Sequence, residues 1–493
     1  EKNQDYGKKK LFFSDQQVIL GSIKIKNKFL SNNLKINIIR EESNTQVSNK
    51  LIIKNISINS KSIKKNDVFF AIKGKRLNGN KYVSEAFKKR SSLAIVNHVN
   101  KDYSASKQIK VKNSLNFLSK CSSIFRDNIN AKIISITGSC GKTTLKEMIG
   151  LTLKKISRTT YSPKSFNNKY GVPLSLFNLK QNDNFGVFEV GMDKRGEINN
   201  LTKIIKPDLG IITNISYAHS KNFKNIKEIA NAKAEIMNNI KNDGTIVLNM
   251  DDKFYNYHKN LALKKKLNVV SFGIQAKSST KLIRIKKIKK KYELLIRVNK
   301  SYFTFNSSNY NKSHLYNILA TLSSINLFID IKKLNKDVFL NLKTPNGRGD
   351  ISKIKLNDKE IFLVDETYNS NPLSLKTAIE NYDKIIAQSS RKYLVLGDML
   401  ELGKHSLKQH KLISKTINKT KIDRVFVIGR YIQETFKGLR LNKKGKILNN
   451  KLDIIDLIKK DLNNNDYLMI KGSNSTGLKN ITNNLKQRNS HAI

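Results

Sequence analysis

Apolar residues along this chain gather in short runs, and between the runs they recur every three or four positions. Val68-Phe69-Phe70-Ala71-Ile72 and Leu93-Ala94-Ile95-Val96 read as buried strands, with the loop Gly74–Asn80 and a helix through Ala86 between them. A second series opens with Ile133-Ile134-Ser135-Ile136 and continues with strands at Gly186–Val190, Leu209–Thr213 and Thr245–Asn249. Leu145, Met148, Ile149 and Leu153 carry the spacing of one helix face. Strands alternating with helices build a mostly parallel sheet. Residues 281–305 break this rhythm: Tyr292, Leu294, Ile296 and Val298 alternate, and Lys289-Lys290-Lys291 suits a turn, which predicts an appended antiparallel hairpin. Pro345, Gly347 and Gly349 mark a linker. Beyond it, strands Ile361–Val364, Tyr393–Leu396, Val425–Ile428 and Tyr467–Ile470 alternate with helical stretches, a doubly wound pattern without a G-x-G-x-x-G signature. Residues 1–50 are rich in Lys and Asn, with little periodicity and no assignable chemistry. The pattern predicts an α/β protein divided at residues 1–50, 51–130, 131–345 and 346–493.

Composition changes this picture little. A hydrophobic fraction of 39% supports true cores. The net charge of +55 suggests a nucleic-acid or membrane footprint, yet the lysines are spread along the chain beside Asn in loop-like stretches. A drift towards Lys, Asn and Ile explains that better, so no specific nucleic-acid partner is expected. Cys121 and Cys140 exclude a disulfide scaffold and suit a reducing compartment, the cytoplasm. No run approaches the ~18 apolar residues of a membrane span. The stretch Leu11 to Leu20 is broken by Asp15 and has no signal-peptide pattern.

The chemistry concentrates in Gly138-Ser139-Cys140-Gly141-Lys142-Thr143-Thr144, between a strand and a helix. That arrangement aims backbone N–H groups and a helix N-terminus at a phosphate chain. Lys142 can reach the terminal phosphates, and the Thr143 hydroxyl can ligate Mg²⁺. Only two residues separate the glycines, where the general P-loop has four. Glu189 ends a strand, where a carboxylate can hold Mg²⁺ or simply cap the strand in water. His219 follows a core strand of the same sheet, as a metal ligand or a structural histidine; Lys233 alone would pass for a surface lysine.

Together these segments resemble the Mur ligase family, whose P-loop reads T-G-x-x-G-K-[ST] and is matched from Thr137. Further matches are Asn167-Asn168-Lys169-Tyr170-Gly171-Val172-Pro173, Glu189-Val190-Gly191-Met192 with Gly196-Glu197-Ile198, and Asp365-Glu366-Thr367-Tyr368-Asn369-Ser370-Asn371-Pro372. Gly397-Asp398-Met399-Leu400-Glu401-Leu402-Gly403 and Lys471-Gly472-Ser473-Asn474-Ser475 complete the set, with Asp67–Gly74 and Asn78-Gly79 matching the nucleotide-sugar domain. The resemblance implies three domains: a UDP-sugar-binding unit, a central P-loop unit for ATP, and a C-terminal Rossmann-like unit. It implies a monomer that uses ATP to add D-alanyl-D-alanine to UDP-N-acetylmuramoyl-tripeptide through an acyl phosphate, in peptidoglycan precursor synthesis.

Carried over by position, the resemblance puts Thr143 and Glu189 on one Mg²⁺ and His219 on a second, with Lys233 carbamylated beside them. It puts Gly138, Ser139, Cys140, Gly141, Lys142, Thr143, Thr144, Asn317, Arg348 and Glu366 on ATP. Ser60, Asn78, Gly79, Asn167, Asn168, Tyr368, Asn369 and Asn371 fall to the substrates, and Lys142, Glu189, His219 and Lys233 to catalysis. Two places depart from the family pattern. Ser313-His314 stands where His-Asn is usual, and Asn59-Ser60-Lys61 replaces Asp-Ser-Arg, where lysine lacks arginine's bidentate fork. The rivals are another ligase of this fold, such as folylpolyglutamate synthase, and a nucleic-acid-dependent ATPase, for which interleaved aromatic platforms are not evident.

Overall fold

The structure is a computed structural model that describes residues 23–43, 51–74, 76–342, 345–356, 358–385 and 390–490. Three sheets organise it. The first joins β1 (Ile56–Ser57), β2 (Val68–Phe70), β3 (Leu93–Val96) and β4 (Gln108–Lys110) in that order, all parallel.

The second sheet has nine strands: β5 (Lys132–Thr137), β6 (Thr159–Tyr161), β7 (Phe185–Glu189), β8 (Leu209–Ile212), β9 (Thr245–Asn249), β10 (Asn268–Gly273), β11 (Thr280–Ile288), β12 (Lys291–Val298) and β13 (Ser301–Ser307). Their spatial order is β13-β12-β11-β10-β9-β8-β5-β7-β6. The chain leaves β5 towards β6 and β7 on one side, then crosses to β8 on the other. Such a reversal opens a crevice at the carboxyl ends of the two strands, where open α/β sheets bind ligands. The glycine loop sits there.

Alternation along β5 explains the layering. Ile133 joins the core beneath one face, with Phe188 and Phe125, while Ile134 and Ile136 join the other, with Leu145, Met148, Ile149 and Leu153. The predicted helix face is therefore the buried face of helix Lys142–Lys154, packed also on Ile318, Leu319 and Leu322 of helix Lys312–Ile325.

The third sheet contains β14 (Asp350–Leu356), β15 (Lys359–Glu366), β16 (Lys392–Gly397), β17 (Arg424–Ile428), β18 (Lys444–Ile447) and β19 (Tyr467–Lys471), in the order β14-β15-β19-β16-β17-β18. Only β14 runs antiparallel. β19 inserts between β15 and β16, so the carboxyl ends of β15 and β19 lie side by side.

Three expectations need correction. The predicted hairpin over 281–305 is a three-stranded antiparallel meander, because a second turn at Asn299 (φ 54°) returns the chain along β13. The first turn is also shorter than predicted, since Lys291 already belongs to β12. Within 1–50, where the pattern shows little periodicity, a helix spans Ile23–Ser43, and its Ile36, Ile38 and Ile39 are buried in the cluster that holds Phe117 and Phe125. Lys35 interrupts that face, its ammonium 5.7 Å from the Phe125 ring centroid, and burial lowers its pKa to about 8. Finally, β1, β4, β6, β10, β14 and β18 are strands that the apolar runs did not mark. The stretch Leu11 to Leu20 lies outside the described residues. Among those described, no helix is long and apolar enough to cross a membrane.

Candidate active site at the P-loop

Backbone geometry makes the loop. Gly138 (φ 147°) and Gly141 (φ 82°) both take conformations that L side chains rarely adopt. A Cβ on Gly138 would fall 1.9 Å from Thr213 Oγ1, so the crevice between β5 and β8 closes only around a glycine. Asn214 then fastens the loop, its carbonyl accepting from Ser139 N and its side-chain oxygen from Cys140 N, each at 2.9 Å. Helix Lys142–Lys154 starts directly after Gly141, and its first-turn N–H groups have no intrahelical acceptors. They face a cavity of ≈ 1220 Å³ lined by both the central and the third sheet's loops. That exceeds the roughly 300–1,000 Å³ of an ordinary small-molecule pocket.

On the cavity wall, Thr143 Oγ1 donates to Glu189 Oε2 at 2.6 Å, and both residues are buried. Asn167 Nδ2 donates to the other Glu189 oxygen at 2.7 Å, while Asn168 caps its own turn through Tyr170 N and Gly171 N. Lys142 folds back, donating to Gly138 O at 2.8 Å. Thr144 lines the same cavity.

Lys233, on helix Ile226–Ala234, is only 2% exposed. Burial pushes its pKa well below the usual lysine range, and the charge of Lys142 adds to the effect. It is not among the residues that line the cavity. Cys140 is likewise desolvated and its pKa raised; its Sγ donates to Asn371 Oδ1 at 3.1 Å.

His219 sits on the cavity rim with φ 54°. Its Nδ1 lies 2.9 Å from Asp193 Oδ1 and 2.7 Å from Glu401 Oε2, at ion-pair distance but without hydrogen-bond alignment. Burial works against the imidazolium, yet the two carboxylates outweigh it and hold the pKa above its ordinary value. Among the described residues, these three form a cluster able to hold a metal ion.

Beside the loop, Asn317 Oδ1 lies 3.6 Å from where a Gly141 Cβ would be. Nearby, His314 Nε2 meets Ser307 Oγ at 3.1 Å, and burial lowers its pKa to about 4. Tyr316 donates its hydroxyl to Asp251 Oδ2 at 2.7 Å.

The third domain supplies the roof. Arg348 Nη2 donates to Thr143 Oγ1 at 3.0 Å, its guanidinium 3.9 Å over the Tyr368 ring. Tyr368 donates its hydroxyl to Ser165 Oγ. Glu366 pairs at 3.1 Å with the buried Lys471, which also donates to Asn369 O. Asn371 caps helix Pro372–Asp383 and donates to Ser139 O at 3.3 Å.

Ser60, Asn78 and Gly79 are not brought to this cavity. Ser60 donates to Glu85 Oε2 at 2.8 Å, Asn78 caps the turn Gly79–Tyr82, and Gly79 lies against the backbone of Ile72. Residues given no role from sequence include Asp193, Ser165, Asp251 and Glu401. Glu401 stood inside a matched motif, but nothing local pointed to His219 as its neighbour.

A P-loop sheet roofed by a separate doubly wound domain defines an ATP-using α/β enzyme with a two-domain active site. Residues 136–325 match the Mur ligase middle domain and residues 352–474 the Mur ligase glutamate ligase domain. The UDP-N-acetylmuramoyl-tripeptide–D-alanyl-D-alanine ligase of Rickettsia prowazekii is 31% identical over 445 residues, covering 88% of this chain and 96% of its own. The Bacillus subtilis enzyme of the same name is 26% identical over 438 residues, covering 88% and 93%. A crystal structure of MurF from Acinetobacter baumannii shares the fold with TM-score 0.80 at 24% identity, covering 92% of this chain and 98% of that one. The chain belongs to the Mur ligase family.

Proposed function

We propose that this chain is an ATP-dependent, ADP-forming ligase of peptidoglycan precursor synthesis that joins D-alanyl-D-alanine to UDP-N-acetylmuramoyl-tripeptide. The likeness to the Rickettsia prowazekii enzyme along nearly its whole length supports the substrate pair. The observation that carries the chemistry is the meeting of Thr143, Glu189 and Arg348 at one point, because it joins the phosphate loop to the domain that brings the second substrate.

The tripeptide carboxylate must approach the γ-phosphate of ATP, two anions that repel. Lys142 and Arg348 bring positive charge to that encounter, and the first-turn N–H groups of helix Lys142–Lys154 orient the phosphates. The Thr143 hydroxyl and Glu189 carboxylate, buried and touching, form a hard-oxygen pair of the kind Mg²⁺ prefers. His219 and Lys233 would serve a second ion. An Mg²⁺ held by Thr143 and Glu189 would supply charge neutralisation of the phosphate oxygens during phosphoryl transfer. Seating of the third domain over the cavity excludes water, so the acyl phosphate meets the D-alanyl-D-alanine amine before it hydrolyses. Nitrogen attacks the acyl carbon, phosphate leaves, and the amine's proton passes to a base or solvent.

Lys233 fits the carbamate reading. Burial shifts this amine towards its neutral, nucleophilic form, and its Nζ would then bond to the carbon of CO₂ and release a proton to water. The product is an anion in place of a cation, suited to a site that gathers metal ions. Incubation with ¹³C-bicarbonate should give a carbamate carbon resonance that is missing in Lys233→Ala.

Isotope transfer tests the reaction path. Tripeptide labelled with ¹⁸O in its terminal carboxylate should pass one ¹⁸O to released phosphate. Unlabelled phosphate would contradict the acyl-phosphate route.

A further inference from the structure

Two non-glycine residues with left-handed backbone meet across the domain boundary: His219 at φ 54° and Glu401 at φ 66°. Such conformations are uncommon outside glycine and persist where surrounding structure holds them. Here the surroundings are each other's loops. Lys221 N donates to Glu401 O at 2.9 Å, and Ser220 Oγ donates to Leu402 O at 3.2 Å. His405 Nε2 lies 3.3 Å from Phe223 O, and its ring packs on Tyr217 at 4.9 Å between centroids. A Cβ on Gly403 would stand 2.8 Å from Lys221 Cα, so the two backbones are in close contact. This docking delivers Glu401 Oε2 to 2.7 Å from His219 Nδ1. Asp193, from the central domain itself, approaches the same nitrogen at 2.9 Å.

We propose that Glu401 is a positioning residue: its carboxylate, presented when the third domain is seated, holds the His219 ring by charge at ion-pair distance from Nδ1 and leaves Nε2 to a divalent metal. A carboxylate on the second nitrogen of a metal-binding histidine sets its tautomer and orientation, and its loss typically weakens metal binding about 10–100-fold. Metal binding at His219 and seating of the third domain are thereby coupled, while Asp193, 2.9 Å from the same nitrogen, stays with the central domain. The inference rests on His219 being a metal ligand.

Binding of Mn²⁺ to the ADP-loaded full-length protein, read by electron paramagnetic resonance, separates the two ideas. Glu401→Gln should weaken one class of Mn²⁺ site about tenfold or more, and Glu401→Asp should recover part of the loss. His405→Ala, which loosens the docking without touching His219, should weaken the same class. Thermal melts identify any variant that fails to fold, and the remaining variants decide the matter. Loss of a Mn²⁺ site in His219→Ala, with binding unchanged in folded Glu401→Gln and His405→Ala, overturns the positioning role alone. Unchanged binding in His219→Ala overturns the metal-ligand reading and this inference with it.

Discussion

Arg348 of the third domain donates to Thr143 of the P-loop at 3.0 Å, across 205 residues of sequence. Stacking on Tyr368 holds the guanidinium in place, so the contact depends on its planar shape as well as its charge. Arg348→Lys should therefore lower kcat about 10²-fold, the cost of one lost transition-state donor. Its melting temperature should stay near that of the parent. Steady-state ADP formation checks this, and a lysine variant with parental kcat would remove the arginine from the chemistry.

Lys142→Ala should lower ATP turnover sharply while leaving the fold intact. Among the described residues the Lys142 ammonium donates to Gly138 O alone, so what is lost is phosphate stabilisation. A loss on the order of 3–4 kcal/mol, or about 10²–10³-fold in rate, is expected. Circular dichroism should match the parent, and ATP turnover near the parental rate would refute the assignment.

His314 predicts an acid limb in stability. Burial sets its folded pKa at about 4, below the ordinary 6.5, so the unfolded chain takes up a proton that the fold refuses. Its contribution is complete above pH 6.5 and is lost as pH falls towards 4, by at most on the order of 3 kcal/mol. His314→Gln should lose less stability than the parent between pH 7.5 and pH 5, measured by urea denaturation. Equal losses would place the acid sensitivity elsewhere.

The site was legible wherever its chemistry is local. Strand, glycine loop and helix are consecutive, and the spacing of Leu145, Met148, Ile149 and Leu153 already marked the buried face that anchors the loop. Lys233 was different, because a lysine's meaning depends on burial, and only the packing of helix Ile226–Ala234 into the core through Ile229, Ala230 and Ala232 desolvates it. The pairing of His219 with Glu401 crosses two domains and leaves no periodic trace in either.

β14 and β18 lie at the two edges of the third sheet, where one side of the ladder has no partner strand and polar residues are tolerated. Helix Ile23–Ser43 sets Lys35 among its buried isoleucines, which blurs its apolar face. The third strand of the meander was hidden because the alternation of Tyr292 to Val298 looked complete with one partner.

The charge of +55 carries its own expectation. Attraction to DNA should be weak and fall steeply between about 50 and 200 mM salt, as sequence-independent phosphate contacts do. Ligase activity should not change when nucleic acid is added. Salt-resistant binding, or ATP turnover stimulated by DNA or RNA, would point to a different class of enzyme.

Phosphate release tests the central claim most directly. Purified protein with ATP, Mg²⁺ and UDP-N-acetylmuramoyl-tripeptide should release phosphate slowly alone and rapidly once D-alanyl-D-alanine is added, with one amide product formed per phosphate. Release that ignores D-alanyl-D-alanine, or that proceeds equally without the tripeptide, would contradict the proposed reaction.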